Sequence, residues 1–196
     1  MELCFATNNP FKIAEISKLL GKSFKLLSLE DIGCFEEIPE TKGTIEGNSL
    51  DKAKYVFMKY HTPCFADDTG LEVNALNREP GVHSARYAGS QKNSEDNISL
   101  LLKKLKGIQD RSARFRTVIT LFLDKDYKQF EGIVYGKIID QKRGEKGFGY
   151  DPVFIPDGFD KTFAQLSLQK KNSISHRGVA FRKLVHYLQQ KTDPVQ

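Results

Sequence analysis

Residues Ala113 to Leu123, ARFRTVITLFL, constrain the fold more than any other stretch. Phe115, Thr117, Ile119, Leu121 and Leu123 recur at every second position, which puts them on one face of an extended strand. Val118 and Phe122 make the opposite face apolar too. A strand that is apolar on both faces must be covered on both, so it belongs in the middle of a sheet. Phe130 to Ile139 reads as its partner, joined through the turn Asp124-Lys125-Asp126.

The flanking sequence supplies the covering layers. Leu3 to Ala6 reads as a short buried strand. Asn9 and Pro10 read as an N-cap and first helical residue. Ile13, Ile16, Leu19 and Leu20 then form a helical apolar face that Gly21 ends. A second helix is predicted from about Thr44 to Tyr60, with Ile45, Leu50, Ala53, Val56 and Phe57 inward. Pro63 to Ala66 is a short apolar strand that ends at Asp67-Asp68-Thr69-Gly70. A third helix starts near Ser94 and carries Ile98, Leu101, Leu102 and Leu105 before Gly107. A last helix covers about Gly178 to Gln190, with Phe181, Leu184, Val185 and Leu188 inward. Strands and helices alternate, which predicts an α/β architecture with a mixed sheet. No repeat, low-complexity tract or linker interrupts the chain, so one domain is expected over residues 1–196.

Composition excludes several classes. No apolar run approaches the ~20 residues of a membrane span. The start, MELCFATNN, lacks the basic segment and long apolar stretch of a signal peptide. The three cysteines, Cys4, Cys34 and Cys64, show no CxxC spacing and read as buried free thiols in a reducing compartment. The net charge of +5 is spread along the chain, which argues against a nucleic-acid-binding arm.

Three segments carry chemistry. The first is the loop Thr7-Asn8-Asn9-Pro10-Phe11-Lys12 between a strand and a helix. Helix N-termini expose N–H groups and a partial positive charge, a layout suited to phosphate. Thr7 adds a hydroxyl, Asn9 an amide and Lys12 a cation; an ordinary strand–cap–helix connection uses the same residues. The loop lacks the glycines of a Walker A motif. The second is Asp67-Asp68, two adjacent carboxylates suited to Mg²⁺, which prefers oxygen ligands and substrate phosphates. Asp-Asp-Thr-Gly is also good turn chemistry. The acidic run Glu36-Glu37 reads as an exposed loop.

The third segment is KGFGYDPVFIPDGFDKTFAQLSLQKKNSISHRGVAFRKL, from Lys146 to Leu184. Phe148 lies between Gly147 and Gly149, free to stack on a flat ring. Tyr150-Asp151-Pro152 fixes a turn in which Asp151 can accept from a ring N–H. Lys171, His176 and Arg177 can donate to phosphate or to ring oxygens. A core phenylalanine and a structural histidine are the plainer readings. A flat ring, a carboxylate, cations and an imidazole together suit a planar heterocycle carrying phosphates.

In this order these blocks resemble the inosine triphosphate pyrophosphatase family, the Ham1-like hydrolases of non-standard purine nucleoside triphosphates. Thr7, Asn9 and Lys12 match its T-x-N-x-x-K pattern, with Asn8 where many members have Gly. Ala66 to Leu71 match its acidic block. Pro80 to Gly89 matches P-G-x-x-S-A-R-Y-x-G, apart from His83 for a common Tyr and Asn77-Arg78-Glu79 where many members have Gly-Gly. Ser175-His176-Arg177 matches its S-H-R.

The resemblance implies an elongated mixed β-sheet flanked by helices in two lobes with a central cleft. It implies a cytoplasmic homodimer that takes ITP, dITP, XTP and dXTP, and neither nucleic acid nor membrane. It makes Asp68 the general base, and Glu40 and Asp68 the Mg²⁺ ligands. Substrate contacts fall on residues Thr7, Asn8, Asn9, Pro10, Phe11 and Lys12, and on Thr69. They continue on Phe148, Gly149, Tyr150, Asp151, Lys171, His176 and Arg177. Lys12 and Lys171 are assigned to the phosphates, and Phe148, Asp151, His176 and Arg177 to the base. Arg86 and Tyr87 are left between a phosphate contact, a dimer contact and a surface loop. Two other readings are a Maf-like pyrophosphatase of other nucleotides, which the S-H-R and F-G-Y-D blocks oppose, and a non-enzymatic nucleotide- or RNA-binding protein.

Overall fold

The computed structural model describes residues 1–19, 24–124 and 126–192. Leu20, Gly21 and Lys125, assigned above to a helix face, a helix stop and a turn, lie outside the described residues.

The chain divides into two compact units. The first comprises Met1–Asp68, Thr117–Gly132 and Arg177–Gln196, and the second Thr69–Arg116 and Ile133–His176. In chain order the strands and helices are β1 (Glu2–Phe5), α1 (Pro10–Ser17), β2 (Lys25–Leu27), α2 (Ile45–Tyr60), β3 (Cys64–Val73), β4 (Pro80–Gly81), α3 (Ser94–Lys104), β5 (Ser112–Leu123), β6 (Asp126–Ile138), β7 (Phe154–Pro156), α4 (Leu168–Ile174) and α5 (His176–Thr192). Among the described residues these strands form one seven-stranded sheet, ordered β2-β1-β3-β5-β6-β7, with β4 added to β3. β1 runs parallel to β2 and β3, whereas β4 and β7 run antiparallel to their neighbours, so the sheet is mixed.

β5 takes the central place that its pattern predicts. Residues 117–122 are buried in succession, on both faces of the strand. In the first unit Phe5 and Phe65 are register partners whose rings stack at 4.5 Å, and Phe181 of α5 closes on Phe65 at 5.8 Å. In the second unit Phe115 packs against Phe154 at 4.8 Å and Phe163 at 6.1 Å, among Leu71, Val73, Ile98 and Leu101. β6 starts four residues before the predicted Phe130, because Tyr127 stacks on Phe122 and Gln129 donates to Thr120. α4 was hidden in a lysine-rich run; Ser167 caps it by accepting from the Lys170 N–H. Cys4, Cys34 and Cys64 are buried and free, and burial pushes the Cys4 thiol up to about 12.

Candidate active site

The first unit holds the acidic chemistry. Asp67 and Asp68 do not end a strand: β3 runs on through Val73. Pairing overrides the local turn preference, because Phe65 pairs with Phe5 and Leu71 with Gly81. β1 stops at Phe5, so Asp67 and Asp68 lie past its carboxyl end, where the Thr7–Lys12 loop begins. Successive strand residues face opposite ways, and the two carboxylates have separate partners.

Asp67 accepts from Lys12 Nζ at 2.8 Å and from Arg177 Nε at 3.0 Å. Arg177 Nη1 reaches Glu15 of α1 at 2.5 Å. Arg177 is 1% exposed and Asp67 also 1%. Burial alone would raise the Asp67 carboxyl, but the charges of Lys12, Arg177 and Lys52 outweigh it and hold it well below the usual carboxylate range. Arg177, assigned above to the base, therefore sits in this ionic group and ties α5 to α1 and β3.

Asp68 faces α2. Its Oδ2 accepts from Asn48 Nδ2 at 3.2 Å, and its Oδ1 lies 3.7 Å from Lys52 Nζ. Lys52 also donates to Glu40 Oε1 at 2.5 Å. One buried ammonium thus stands between the two carboxylates assigned to metal. Burial raises the Asp68 carboxyl above its ordinary value, with Lys52 and Lys12 pulling the other way. Lys52 is itself raised: burial disfavours its charge, and Asp68 and Glu40 more than restore it.

Asn48 and Lys52 escaped sequence reading. A signal was present: Asn48, Ser49 and Lys52 occupy the same helical stripe as Ile45, Ala53 and Val56 and are buried with them. Polar residues at core-facing positions of a helix need partners, and these two find the carboxylates. Glu36 departs from the exposed loop expected of it, since Tyr55, Lys59 and Tyr60 all donate to its Oε1. Glu37 is exposed as expected.

The N-terminal loop is shaped by its own side chains. Asn9 Oδ1 caps α1 by accepting the N–H groups of Phe11 at 3.0 Å and Lys12 at 3.3 Å. Thr7 Oγ1 accepts the Asn9 N–H at 3.2 Å. Asn8, Pro10 and Phe11 are exposed, and Lys12 is half-buried.

The second unit holds the residues assigned above to ring binding, apart from Arg177. Asp151 Oδ2 accepts the Phe148 N–H at 2.9 Å and Lys171 Nζ at 2.5 Å. Asp151 and Lys171 are each 3% exposed, and Phe148 is half-buried. Lys171 Nζ lies 5.0 Å from the Phe148 ring centroid, on its face. Lys171, assigned above to the phosphates, is held with the stacking ring. Gly147 is required twice over: its φ is +76°, and a Cβ there would overlap Asp151 Oδ2. Tyr150 is buried, donating to the Ser84 carbonyl at 2.9 Å, which makes it a support for the turn. His176 opens α5, is 3% exposed and stacks on Phe115 at 4.7 Å. Thr69 is half-buried in β3.

The Pro80–Gly89 block also lies in this unit. Tyr87 donates to Glu79 at 2.8 Å, and Lys104 does so at 2.6 Å while covering the Tyr87 ring. Tyr87 is thus held by Glu79 and Lys104 rather than by an arginine. Asn77 and Arg78 take φ of +51° and +68°, the left-handed backbone that a Gly-Gly pair would adopt without strain.

Known proteins resemble this chain over nearly its whole length. The Ham1 family model matches residues 3–187. A dITP/XTP pyrophosphatase of Flavobacterium johnsoniae is 58% identical over 188 residues, 96% of this chain and 98% of its own. One from Bacillus subtilis is 44% identical over 192 residues, 96% and 97% of the two chains. The structure of the Staphylococcus aureus Ham1 protein matches with a TM-score of 0.89 at 41% identity, over 97% of this chain and 100% of that one. With its mixed sheet and the acidic and S-H-R blocks in place, the chain belongs to the Ham1 family.

Proposed function

We propose that this protein is a nucleoside-triphosphate pyrophosphatase of non-standard purine nucleotides. It hydrolyses the α–β phosphoanhydride of ITP, dITP, XTP and dXTP, releasing the monophosphate and pyrophosphate. The observation that carries the reading is the convergence of Glu40 and Asp68 on the one ammonium of Lys52. The names of the relatives, dITP/XTP pyrophosphatases, support the substrate class.

The carboxylate pair suits Mg²⁺. Its donors are hard oxygens, and both side chains reach solvent, Glu40 at 33% and Asp68 at 12% exposure. Among the described residues no group of three or more His, Cys, Asp or Glu could hold a metal. Two carboxylates with waters and substrate phosphates are a usual Mg²⁺ environment. When bound at Glu40 and Asp68, the ion would neutralise charge developing on the phosphate oxygens.

The chain's own residues do the rest. Asp68 takes the proton of the attacking water, its burial making it a stronger base than an exposed aspartate. Lys52 keeps Glu40 and Asp68 ionised beside one another. The loop of Thr7, Asn8, Asn9, Pro10, Phe11 and Lys12, at the positive end of the α1 dipole, receives the phosphates. Thr69 follows Asp68 along β3, and the family resemblance assigns it a substrate contact. The Gly147–Asp151 turn offers the face of Phe148 to the base, flanked by Gly149 and Tyr150. Lys171 and His176 supply donors for a 6-keto oxygen, and Arg177 secures the start of α5 from the side of Asp67. A site built on such donors rejects the 6-amino group of adenine, which leaves them unpaired.

One domain over residues 1–196 is supported by the single family model that matches residues 3–187. The family resemblance carries a homodimer in the cytoplasm. Among the described residues no helix is long and apolar enough to cross a membrane.

The test is pyrophosphate release from ITP, dITP and XTP, with and without Mg²⁺, against ATP and GTP. Mg²⁺-dependent release from the first three, with far less from the last two, is expected. Binding without release, or equal rates on ATP, overturns the reading. Light scattering on the eluted protein checks the dimer.

A further inference from the structure

Asn48 is the fourth residue of α2 and is 1% exposed. A primary amide so deeply buried is costly unless both ends are bonded. Both are. Its Oδ1 accepts the backbone N–H of Lys42 at 2.9 Å, and its Nδ2 donates to Asp68 Oδ2 at 3.2 Å. A backbone N–H can only donate, so the end facing Lys42 must be the oxygen. That settles the amide's orientation and obliges its NH₂ to face Asp68.

Two consequences meet at this residue. The first concerns the segment carrying Glu40. Lys42 follows Glu40 by two positions, and its N–H is held by Asn48. The adjacent Gly47 has no side chain where Lys42 packs: a Cβ there would stand 2.8 Å from Lys42 Cβ. Two consecutive residues of α2 therefore dock the Glu40 segment onto the helix. The second concerns Asp68. With Oδ2 receiving a neutral N–H donor, the plane of the carboxylate is set, and Oδ1 is the oxygen on the Lys52 side, 3.7 Å from its ammonium.

Resting on the reading of this chain as a pyrophosphatase, we infer that Asn48 is a positioning residue for hydrolysis. Its amide joins the Glu40 segment to Asp68, fixes the distance between the two carboxylates, and selects Oδ1 of Asp68 as the oxygen presented to the reaction. It touches neither substrate nor water in this role; it acts through Asp68. A purely structural asparagine, serving only to anchor Lys42, is the competing account.

The two accounts separate by isosteric substitution. In Asn48→Asp the new carboxylate still accepts the Lys42 N–H, but cannot donate to Asp68 and faces it with like charge. In Asn48→Ala both bonds go. Supporting groups of this kind change activity by about 10–100-fold when lost. On the full-length protein, hydrogen exchange at the Lys42 amide and kcat and KM for dITP would be measured. Asn48→Asp should keep Lys42 protection while kcat falls about 10–100-fold with KM nearly unchanged. Asn48→Ala should lose Lys42 protection and kcat together.

A third measurement needs neither an Asn48 variant nor metal. The side-chain NH₂ signal of Asn48 in ¹⁵N-labelled protein should shift when Asp68→Asn removes the charge it donates to. Wild-type kcat in Asn48→Asp, or an Asn48 signal indifferent to Asp68→Asn, overturns the inference. If both Asn48 variants fail to fold, the NH₂ signal alone decides. An inactive wild-type protein overturns the functional reading itself, an outcome distinct from an active wild type with an equally active Asn48→Asp.

Discussion

Lys52 places its ammonium 2.5 Å from Glu40 Oε1, with only 7% of its own side chain exposed. Removing it leaves Glu40 and Asp68 repelling one another around a vacated charge. Lys52→Met should lower dITP turnover by on the order of 10²-fold or more, the scale of one lost electrostatic contact in a site. Uncompensated buried charge costs about 3–5 kcal/mol, and the exposure of Glu40 places this variant toward or below the lower end. Pyrophosphate release and urea midpoints, measured together, check that activity falls much further than stability.

Asp68→Asn keeps the shape of the side chain and, on the proposed mechanism, removes the base. Turnover should fall by about 10²–10⁴-fold, the usual contribution of general base catalysis. Affinity for dITP should stay close to wild type, as read by calorimetry under conditions where no turnover occurs. Full activity in this variant would remove Asp68 from the mechanism.

Phe148 lies against the Lys171 ammonium, and on the proposed function its ring stacks on the base. Phe148→Ala should weaken nucleotide binding by about 1–3 kcal/mol, the scale of base–aromatic stacking. The loss should be similar for ITP and XTP, because stacking is indifferent to ring substituents. His176→Ala should instead narrow the ratio of ITP to GTP turnover. Steady-state kinetics on the three nucleotides distinguishes the two effects.

Asp67 makes stability depend on acid. Its carboxyl titrates below the unfolded value near 3.9, because Lys12 and Arg177 outweigh the effect of burial. The folded chain therefore favours the ionised form. Its contribution is complete above about pH 5, and it drains away as pH falls through about 4 toward the folded value. Urea midpoints between about pH 6 and 2 should fall steeply in the wild type. Asp67→Asn should start lower, having lost both ion pairs, and fall less steeply over the same window.

Arg78 occupies left-handed backbone at φ +68° and is exposed. A side chain with Cβ costs about 1–2 kcal/mol there, and glycine does not. Arg78→Gly should raise the unfolding free energy by up to about 1 kcal/mol, after the added entropy of glycine in the unfolded chain is subtracted. Thermal melting with unchanged turnover would confirm it.

Sequence legibility followed periodicity. β5, α3 and α5 were readable because their apolar residues repeat at strand or helix spacing over many positions. The acidic block departs from its sequence expectation in the backbone. Asp-Asp-Thr-Gly has local turn preference, and only the pairing of Phe65 and Leu71 with other strands defeats it. Lys52 and Asn48 were invisible as chemistry because their partners, Glu40 and Asp68, lie in other elements. Arg177 was readable as a functional cation, yet Glu15 and Asp67, which claim it, are distant in sequence. Local patterns report which side a residue faces; only the fold reports what waits there.

That Asp67 and Asp68 sit within a strand has a consequence for how errors in folding would be felt. Neighbours on a strand differ by half a pleat, so a slip of β3 by one residue against β1 would exchange their faces. The carboxylate locked to Lys12 and Arg177 would turn toward α2, and the one poised beside Lys52 would turn away. Such a chain would retain every residue of the centre and perform no chemistry. The pairing of Phe65 with Phe5 and of Cys64 with Cys4 thus sets which aspartate faces Lys52.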